Sequence, residues 1–232
     1  MCIRDSSING LVYVRGNKLD YDTWAQGNTG WSYEDVLPFF KKIENYQGEI
    51  TELRSSEGPL KISEVVDRNP IYDGLFKGAG EIGIPVNKDY NGDEQEGISY
   101  TQTTIFKGER MSAEVAYLKP IRSRKNLKII TNSLVTKLLF DGKTCVGVKV
   151  KTKNKIQDYF SQNEVILCGG AINSPQILEL SGIGNRSILE EKGISLIHEL
   201  KGVGENLRDH LGPRLVYNLS LIHISEPTRR LN

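Results

Sequence analysis

Three groups of residues have the types and spacing that chemistry needs. Gly78-Ala79-Gly80-Glu81-Ile82-Gly83 fits the pattern GxGxxG. Between a strand and a helix, such glycines let main-chain amides approach a dinucleotide pyrophosphate at the helix N-terminus. The context here is different. The preceding IYDGLFK reads as helix, and Pro85 arrives two residues after Gly83, so no helix follows. These glycines read as a helix end, and the rival nicotinamide enzyme would require a strand before Gly78. The second group is GGAINSPQILELSGIG, Gly169 to Gly184. With EVILC (Glu164 to Cys168) before it, it reads as a buried strand, a glycine turn, a capped helix and a second glycine turn. Such a unit brings backbone amides close to something at the carboxyl end of the strand. The third group is the histidines (His198, His210, His223) and the cysteines (Cys2, Cys145, Cys168). Neither set has HExxH or CxxC spacing, so no metal site is expected. The cysteines read as free thiols of a reducing compartment, which favours a cytoplasmic address over secretion. His210 reads as structural and His198, after the strand-like ISLI, as exposed.

Those groups must be held by regular elements. Leu11 to Tyr21 alternates and then turns polar. Ser32 and Asp35 fit a capping box ahead of Val36, Leu37, Phe39 and Phe40, which predicts a helix that Pro38 should kink. A short strand is expected around Leu60 to Ile62, a helix over Ile71 to Ile82, and a polar loop over Asn87 to Glu96. Ser112 could cap a short helix through Tyr117, ended near Pro120. From Leu127 the texture changes to short β-rich runs, LKIITN, VTKLLFD, TCVGVKVKT and QDYFS, with Asp141-Gly142 as a hairpin-turn signal. They predict an antiparallel meander. EVILC has no alternation, as in strands buried on both faces of a parallel sheet. Ser174 and Pro175 read as N-cap and first-turn proline of a helix through Leu180, ended by Gly182 and Gly184. Asn185 caps another that stops at Gly193. Trp24, Trp31 and the tyrosines read as core residues, although an aromatic cage would suit a quaternary ammonium ligand.

The two ends read as foreign. Met1 to Ser6 is MCIRDS and Leu219 to Arg229 is LSLIHISEPTR. Back-translated as ATG TGT ATA AGA GAC AG and CTG TCT CTT ATA CAC AT, the two are reverse complements. The word resembles the transposase end used to build sequencing libraries, and Ser225 to Arg229 resembles the adapter that follows it. Residues 1–6 and 219–232 are therefore set aside as adapter-like.

Within the rest, Gly170, Ala171, Ser174, Pro175, Ile177, Leu178, Ser181, Gly182, Ile183 and Gly184 carry a resemblance to the second signature of the glucose–methanol–choline (GMC) oxidoreductases. SSINGLVYVRG (Ser6 to Gly16) resembles the end of the first signature and the loop after it. It continues into Asp20, Tyr21, Trp24 and GWSYEDVLPFFKKIE. GERMSAEVAYLKP (Gly108 to Pro120) and GVGENLRDH (Gly202 to His210) resemble later blocks, in order. The flavour is that of choline-dehydrogenase-like members. The resemblance implies FAD as cofactor and oxidation of an alcohol to a carbonyl, with a base taking the hydroxyl proton and hydride passing to flavin N5. It implies that the backbone of Asn9, Gly10, Leu11 and Val12 lies along the flavin, and that Val135 meets the adenine. Ile8 stands where some members carry a histidine bonded to flavin, so noncovalent FAD is expected. The N-terminal strand–GxGxxG–helix and the C-terminal segment with the catalytic histidine have no counterpart here. No residue is assigned as catalytic base, and the encoded piece is not expected to turn over substrate.

The implied fold class is mixed α/β (α+β): a partial FAD-binding Rossmann-like domain with a β-meander, interleaved with part of a substrate-binding domain. The expected division is 7–30 as a flavin-contacting loop region, 31–117 as partial substrate domain and 118–218 as partial FAD-binding domain. The chain has 232 residues, 30 Lys plus Arg against 29 Asp plus Glu, and no apolar run near the roughly 18 residues a membrane span needs. A net charge of +1 gives no reason to expect nucleic acid as partner. The expected partner is a small-molecule alcohol; the electron acceptor stays open. The rival within the same fold is a noncatalytic binding module.

Overall fold

The computed structural model describes residues 6–66, 68–209, 211, 212 and 216. His210, His223, Cys2 and nearly all of both adapter-like ends lie outside them. The chain divides into two compact units, one running up to Arg124 and the other Lys125–Val216.

The first unit begins with a loop, Ser6 to Asn17, and two helices, α1 (Lys18–Ala25) and α2 (Tyr33–Ile43). Helix α2 starts where its capping box requires: Ser32 Oγ accepts from the Asp35 amide and the Asp35 carboxylate accepts from the Ser32 amide. Pro38 lies inside it. Helix α1 was not legible, because its capping Asn17 is followed by no apolar periodicity. Strand β1 (Glu44–Tyr46) pairs in parallel with β2 (Leu60–Glu64), and β2 pairs antiparallel with β3 (Gln102–Thr103). Helix α3 (Ile71–Glu81) lies between β2 and β3 in sequence. A small hairpin follows, β4 (Ile105–Phe106) with β5 (Glu109–Arg110). Then come a π-helical turn (Glu114–Leu118) and a 3-10 turn (Lys119–Ile121) that holds Pro120. Ser112, two residues ahead of that turn, accepts at Oγ from the Val115 amide.

The GxGxxG glycines sit at a helix end. Gly78 and Gly80 are inside α3, and Gly83 follows it with φ +84°. The residues before Gly78 are helical, so the nicotinamide reading fails on geometry. A Cβ on Gly78 would meet nothing within 4 Å. Gly78→Ala is therefore expected to stabilise this unit by about 0.5–1 kcal/mol, through helix propensity and a less flexible unfolded chain. A lower melting temperature in the variant would contradict this.

The tryptophans depart from expectation. Trp24 and Trp31 are about half exposed and meet edge-to-face at 6.0 Å. Tyr21 takes the inner place, with ring contacts to Tyr33 and Phe40. The Trp rings cover the outside of that cluster rather than forming a core.

The second unit is built on the predicted meander: β6 (Leu134–Asp141), β7 (Thr144–Lys151) and β8 (Ile156–Phe160), in that order and all antiparallel. Asp141 faces Thr144 across a tight turn in which Gly142 has φ +58°. Helix α4 (Gly170–Leu180) packs on β6. Beyond it, β9 (Ile183–Gly184) pairs in parallel with β10 (His198–Glu199), joined through α5 (Arg186–Glu191), which Asn185 caps. His198 is exposed.

Three local expectations are corrected. Helix α4 starts at Gly170, so Ser174 and Pro175 lie within it rather than at its cap. Pro175 is the sixth residue of the helix, past the first turn whose amides are free in any case, so the bond its amide would have made to Ala171 O is lost. EVILC is not a strand and is not buried: Ile166 is 75 % exposed. LKIITN likewise forms no strand, with Ile129 and Ile130 over 40 % exposed. A strand exists only by virtue of a neighbour, and among the described residues none runs beside either segment.

Candidate functional site

The loop at the start of the first unit carries Asn9, Gly10, Leu11 and Val12 together. It is seated by β3 and by the residues after it. Val12 forms an antiparallel bridge with Thr103, and the Tyr13 amide donates to Gln102 O at 2.8 Å. Leu11 O accepts from the Thr104 amide at 2.8 Å and from Thr104 Oγ1 at 3.3 Å. The loop thus joins the edge of the β1–β2–β3 sheet as a short extra strand. Leu11 has φ +65°, a left-handed conformation that costs a non-glycine residue of order 1–2 kcal/mol. Asn9 Oδ1 holds it there by accepting from the Leu11 amide at 3.1 Å.

Alternation along this strand runs opposite to the usual rule. Tyr13 and Arg15 point inward, while Val12 and Val14 are about half exposed and Ile8 is 69 % exposed. A Cβ on Gly10 would meet nothing within 4 Å. The outer face of the loop is therefore apolar on both sides of a bare stretch of main chain. Such a face fits a flat, largely apolar ring system with polar edges, which is the chemistry of an isoalloxazine. The fit is made by exposed apolar side chains and accessible peptide groups, not by charge.

Beneath the loop lies a buried charge network. Glu44 is fully buried and accepts from the Ser55 amide at 2.7 Å and from Tyr13 OH at 3.2 Å. Its Oε1 also lies 2.6 Å from Arg15 Nη2 and 3.2 Å from Arg54 Nε. The Arg15 contact is an ion pair at close range rather than an aligned hydrogen bond, since Nη2 has no hydrogen-bond geometry to any acceptor. Arg54 Nη1 pairs with Asp89 at 2.6 Å, its Nη2 donates to Gln102, and its guanidinium lies over the Tyr46 ring at 3.6 Å. Asn91 accepts from the Arg15 amide at 2.7 Å. Residues from four separate stretches, 44–46, 54–55, 89–91 and Gln102, thus fasten the strand that carries Tyr13 and Arg15. A cleft of about 250 Å³ opens beside the network, with Arg15, Lys18, Tyr33 and Asn91 in its wall, and none of Ile8 to Val12 lines it.

Burial pushes the Tyr13 phenol up to about 12, with the Glu44 carboxylate as the next cause. Burial also raises Tyr46, helped by its hydrogen bond to Glu64, and Tyr90. The folded state therefore favours the neutral phenols. Their contribution to stability is whole below about pH 10.0, the ordinary value, and is lost as pH rises from there through about 12. Expected is an alkaline transition in which tyrosinate absorbance rises together with loss of β1–β2 structure. Smooth titration of every tyrosine near pH 10, with the fold intact, would contradict it.

Val135 lies on β6, opposite Val150, in the second unit. Among the described residues strand β6 pairs on one side only, with β7, and the ladder slips between Val135 and Lys137. The open edge is partly used within the unit, since the Leu138 amide donates to Ser181 Oγ at 2.8 Å. Ser181 also donates to Ile177 O, so this serine of the second signature ties α4 to the meander. Gly182 has φ +89°, and a Cβ there would collide with Ser195 O. The glycine-rich string is thus explained at Ser181 and Gly182 by packing within the unit. Among the described residues no group of three or more His, Cys, Asp or Glu is placed to hold a metal ion. No described helix is long and apolar enough to cross a membrane.

Arg110 was not singled out from the sequence, nor was the Glu44 network. Arg110 sits in GERMSAEVAYLKP, but its partner Asn9 is 101 residues away and nothing local links the two.

Comparison with known proteins places the chain in a family. The family model described as GMC oxidoreductase matches residues 5–212. An oxygen-dependent choline dehydrogenase of Brucella anthropi is 44 % identical over 207 residues, which is 89 % of this chain and 38 % of that protein. The mitochondrial choline dehydrogenase of Homo sapiens is 42 % identical over 207 residues, 89 % of this chain and 35 % of that protein. This chain thus spans little more than a third of the length of these relatives. Among solved structures, an FAD-dependent oxidoreductase from Chaetomium thermophilum superposes with a TM-score of 0.83 at 34 % identity, covering 88 % of this chain and 38 % of that one.

Proposed function

This chain belongs to the GMC oxidoreductase family, and from that premise we propose that it supplies the central part of an FAD-dependent oxidoreductase that takes a small-molecule alcohol to its carbonyl compound. The observation that carries the reading is the Ile8–Val12 loop: a bare Gly10 main chain between exposed apolar side chains, in a chain 44 % identical to a choline dehydrogenase. FAD, when bound, supplies the acceptor for the hydride that leaves the carbinol carbon.

The residues of this chain position and exclude. Ile8 and Val12 offer apolar contact to the flavin ring and keep water from that face. The main chain of Asn9 to Val12 offers its peptide groups to the polar ring edge. Val135, on the partly open edge of β6, offers its main chain to the adenine. Ile8 has no nucleophilic atom, so the flavin is held without a covalent bond. Residues 31–117 contribute to the substrate side, while the loop within 7–30 and residues 118–218 contribute to the cofactor side. The base that takes the hydroxyl proton is assigned to none of the described residues. The choline-like or other alcohol is the substrate class, and the cysteine usage favours a cytoplasmic address over secretion without fixing it.

The test starts by reading the gene outward from within Ser7 to Asn218. A strand–GxGxxG–helix upstream and a histidine-bearing segment downstream are expected. The protein expressed from that gene should carry FAD, and its visible flavin band should bleach when choline or a simple primary alcohol is added without oxygen. Flanks lacking both segments, with no bleaching by any alcohol tried, would favour the noncatalytic module.

A further inference from the structure

We propose that Arg110 is a positioning residue: its guanidinium holds the Ser6–Leu11 loop in the one shape that presents the strained Leu11 peptide to the flavin. The flavin half of this inference rests on the function proposed above; the clamp itself does not.

Arg110 is well placed to act at a distance along the chain. Its own backbone is held in β5, opposite Ile105, by a hairpin whose turn residues Lys107 and Gly108 both have positive φ. From there Nη1 reaches Asn9 Oδ1 at 2.6 Å and Asn9 O at 3.0 Å, and also Ser6 O at 3.3 Å, the last of the residues set aside above as adapter-like. The side-chain oxygen it holds is the one that accepts from the Leu11 amide. Arg110 thereby sets the orientation of the Asn9 carboxamide, and the carboxamide sets the left-handed Leu11. The same short stretch grips the loop twice more, through Thr104 at Leu11 O and through the Ala113 amide at Ser6 Oγ. Those two grips fix the loop's ends. Arg110 reaches its middle, where Gly10 lies bare.

A left-handed leucine does not persist unless its surroundings over-determine it, and such strain gathers where a backbone must meet a ligand. Charge-assisted hydrogen bonds of a guanidinium to three oxygens are strong enough to do the holding. All three acceptors meet one nitrogen, Nη1, so what a lysine lacks is reach and rigidity: it carries the charge, but its stem is one atom shorter and its ammonium is not fixed in a planar fork.

The experiment uses the whole 232-residue chain with Arg110→Met and Arg110→Lys. Amide hydrogen exchange is followed in peptides covering Ser6 to Tyr13, with β6–β7 as internal reference, and added FAD is titrated by quenching of its fluorescence. In Arg110→Met, exchange at Leu11 should rise about tenfold or more, with β6–β7 unchanged, because a charge-assisted bond is lost. FAD affinity should fall by a similar factor of about ten, and Arg110→Lys should recover part of both losses. Unchanged exchange at Leu11 in Arg110→Met would overturn the clamp. A loosened loop with unchanged FAD affinity would overturn the positioning role and leave only a structural one. If the unaltered chain quenches no FAD while its loop is protected, the flavin contact fails, and the exchange data alone decide the clamp.

Discussion

Glu44→Ala is expected to cost the first unit about 3–5 kcal/mol, the range for removing one partner of a buried charge pair. The carboxylate is held by four groups: the Arg15 guanidinium as a close ion pair, and the Arg54 guanidinium, the Ser55 amide and the Tyr13 hydroxyl as donors. Alanine leaves all four in a space that water does not reach. Arg54 keeps Asp89 and Gln102, and Arg15 keeps the carbonyls of Leu53 and Asn91. Even so, two positive charges then face each other with nothing between them. A loss of that size is a large fraction of the roughly 5–15 kcal/mol that holds a domain folded, so unit one should unfold at markedly lower urea than the unaltered chain. Glu44→Gln keeps one acceptor oxygen and the volume, and should lose less. The check is urea unfolding with hydrogen exchange read separately in β1–β2 and in β6–β7. A loss below about 1 kcal/mol in Glu44→Ala would mean that the network is not what fastens the loop strand.

Gly182→Ala should be nearly as damaging, and to the other unit. Two costs add. The φ of +89° is a region that a residue with Cβ pays about 1–3 kcal/mol to occupy. The new methyl also meets Ser195 O, a backbone atom, and overpacking of that kind adds about 1–3 kcal/mol. The same amides that this approach creates are in use: those of Ile197 and His198 both donate to Gly182 O. The expected result is a loss of about 2–6 kcal/mol confined to residues after Lys125, with β1–β2 protection unchanged. The glycine of a family signature would then be serving the close packing of β9 against β10. A variant that stayed fully stable but bound FAD more weakly would show that Gly182 instead faces the cofactor.

These two results bear on what was readable beforehand. The Ser32–Asp35 capping box, the Asp141-Gly142 turn and the meander around it are settled by neighbours within a few residues. Each appears in the structure where local chemistry puts it. The GxGxxG glycines were resolved by context in the same way, since a helix precedes them and a proline follows. EVILC and LKIITN are the counter-example. Their composition is that of strands, but a strand needs a partner's main chain, and no partner lies beside them among the described residues. Helix α4 began four residues before its best capping signal, because Gly170 with φ +82° makes the turn that Ser174 was expected to make.

The candidate site divides along the same line. That Asn9 to Val12 form one loop follows from their adjacency and from the family resemblance they carry. That Leu11 is left-handed, that Val12 faces out while Arg15 faces in, and that Asn9 is held by Arg110 do not. Those facts depend on contacts between residues 76 to 101 positions apart. The sequence by itself determined the family, the local caps and turns, and the order of the elements, because each depends on short-range backbone preferences and on motif spacing. Only the tertiary structure decided that a buried carboxylate should fasten two arginines under the loop. It also decided that one arginine of a late hairpin should reach back to shape the loop. The reason is physical: hydrogen bonds and ion pairs gain their strength from burial and from the partner's geometry, and neither is written in the spacing of residues along the chain.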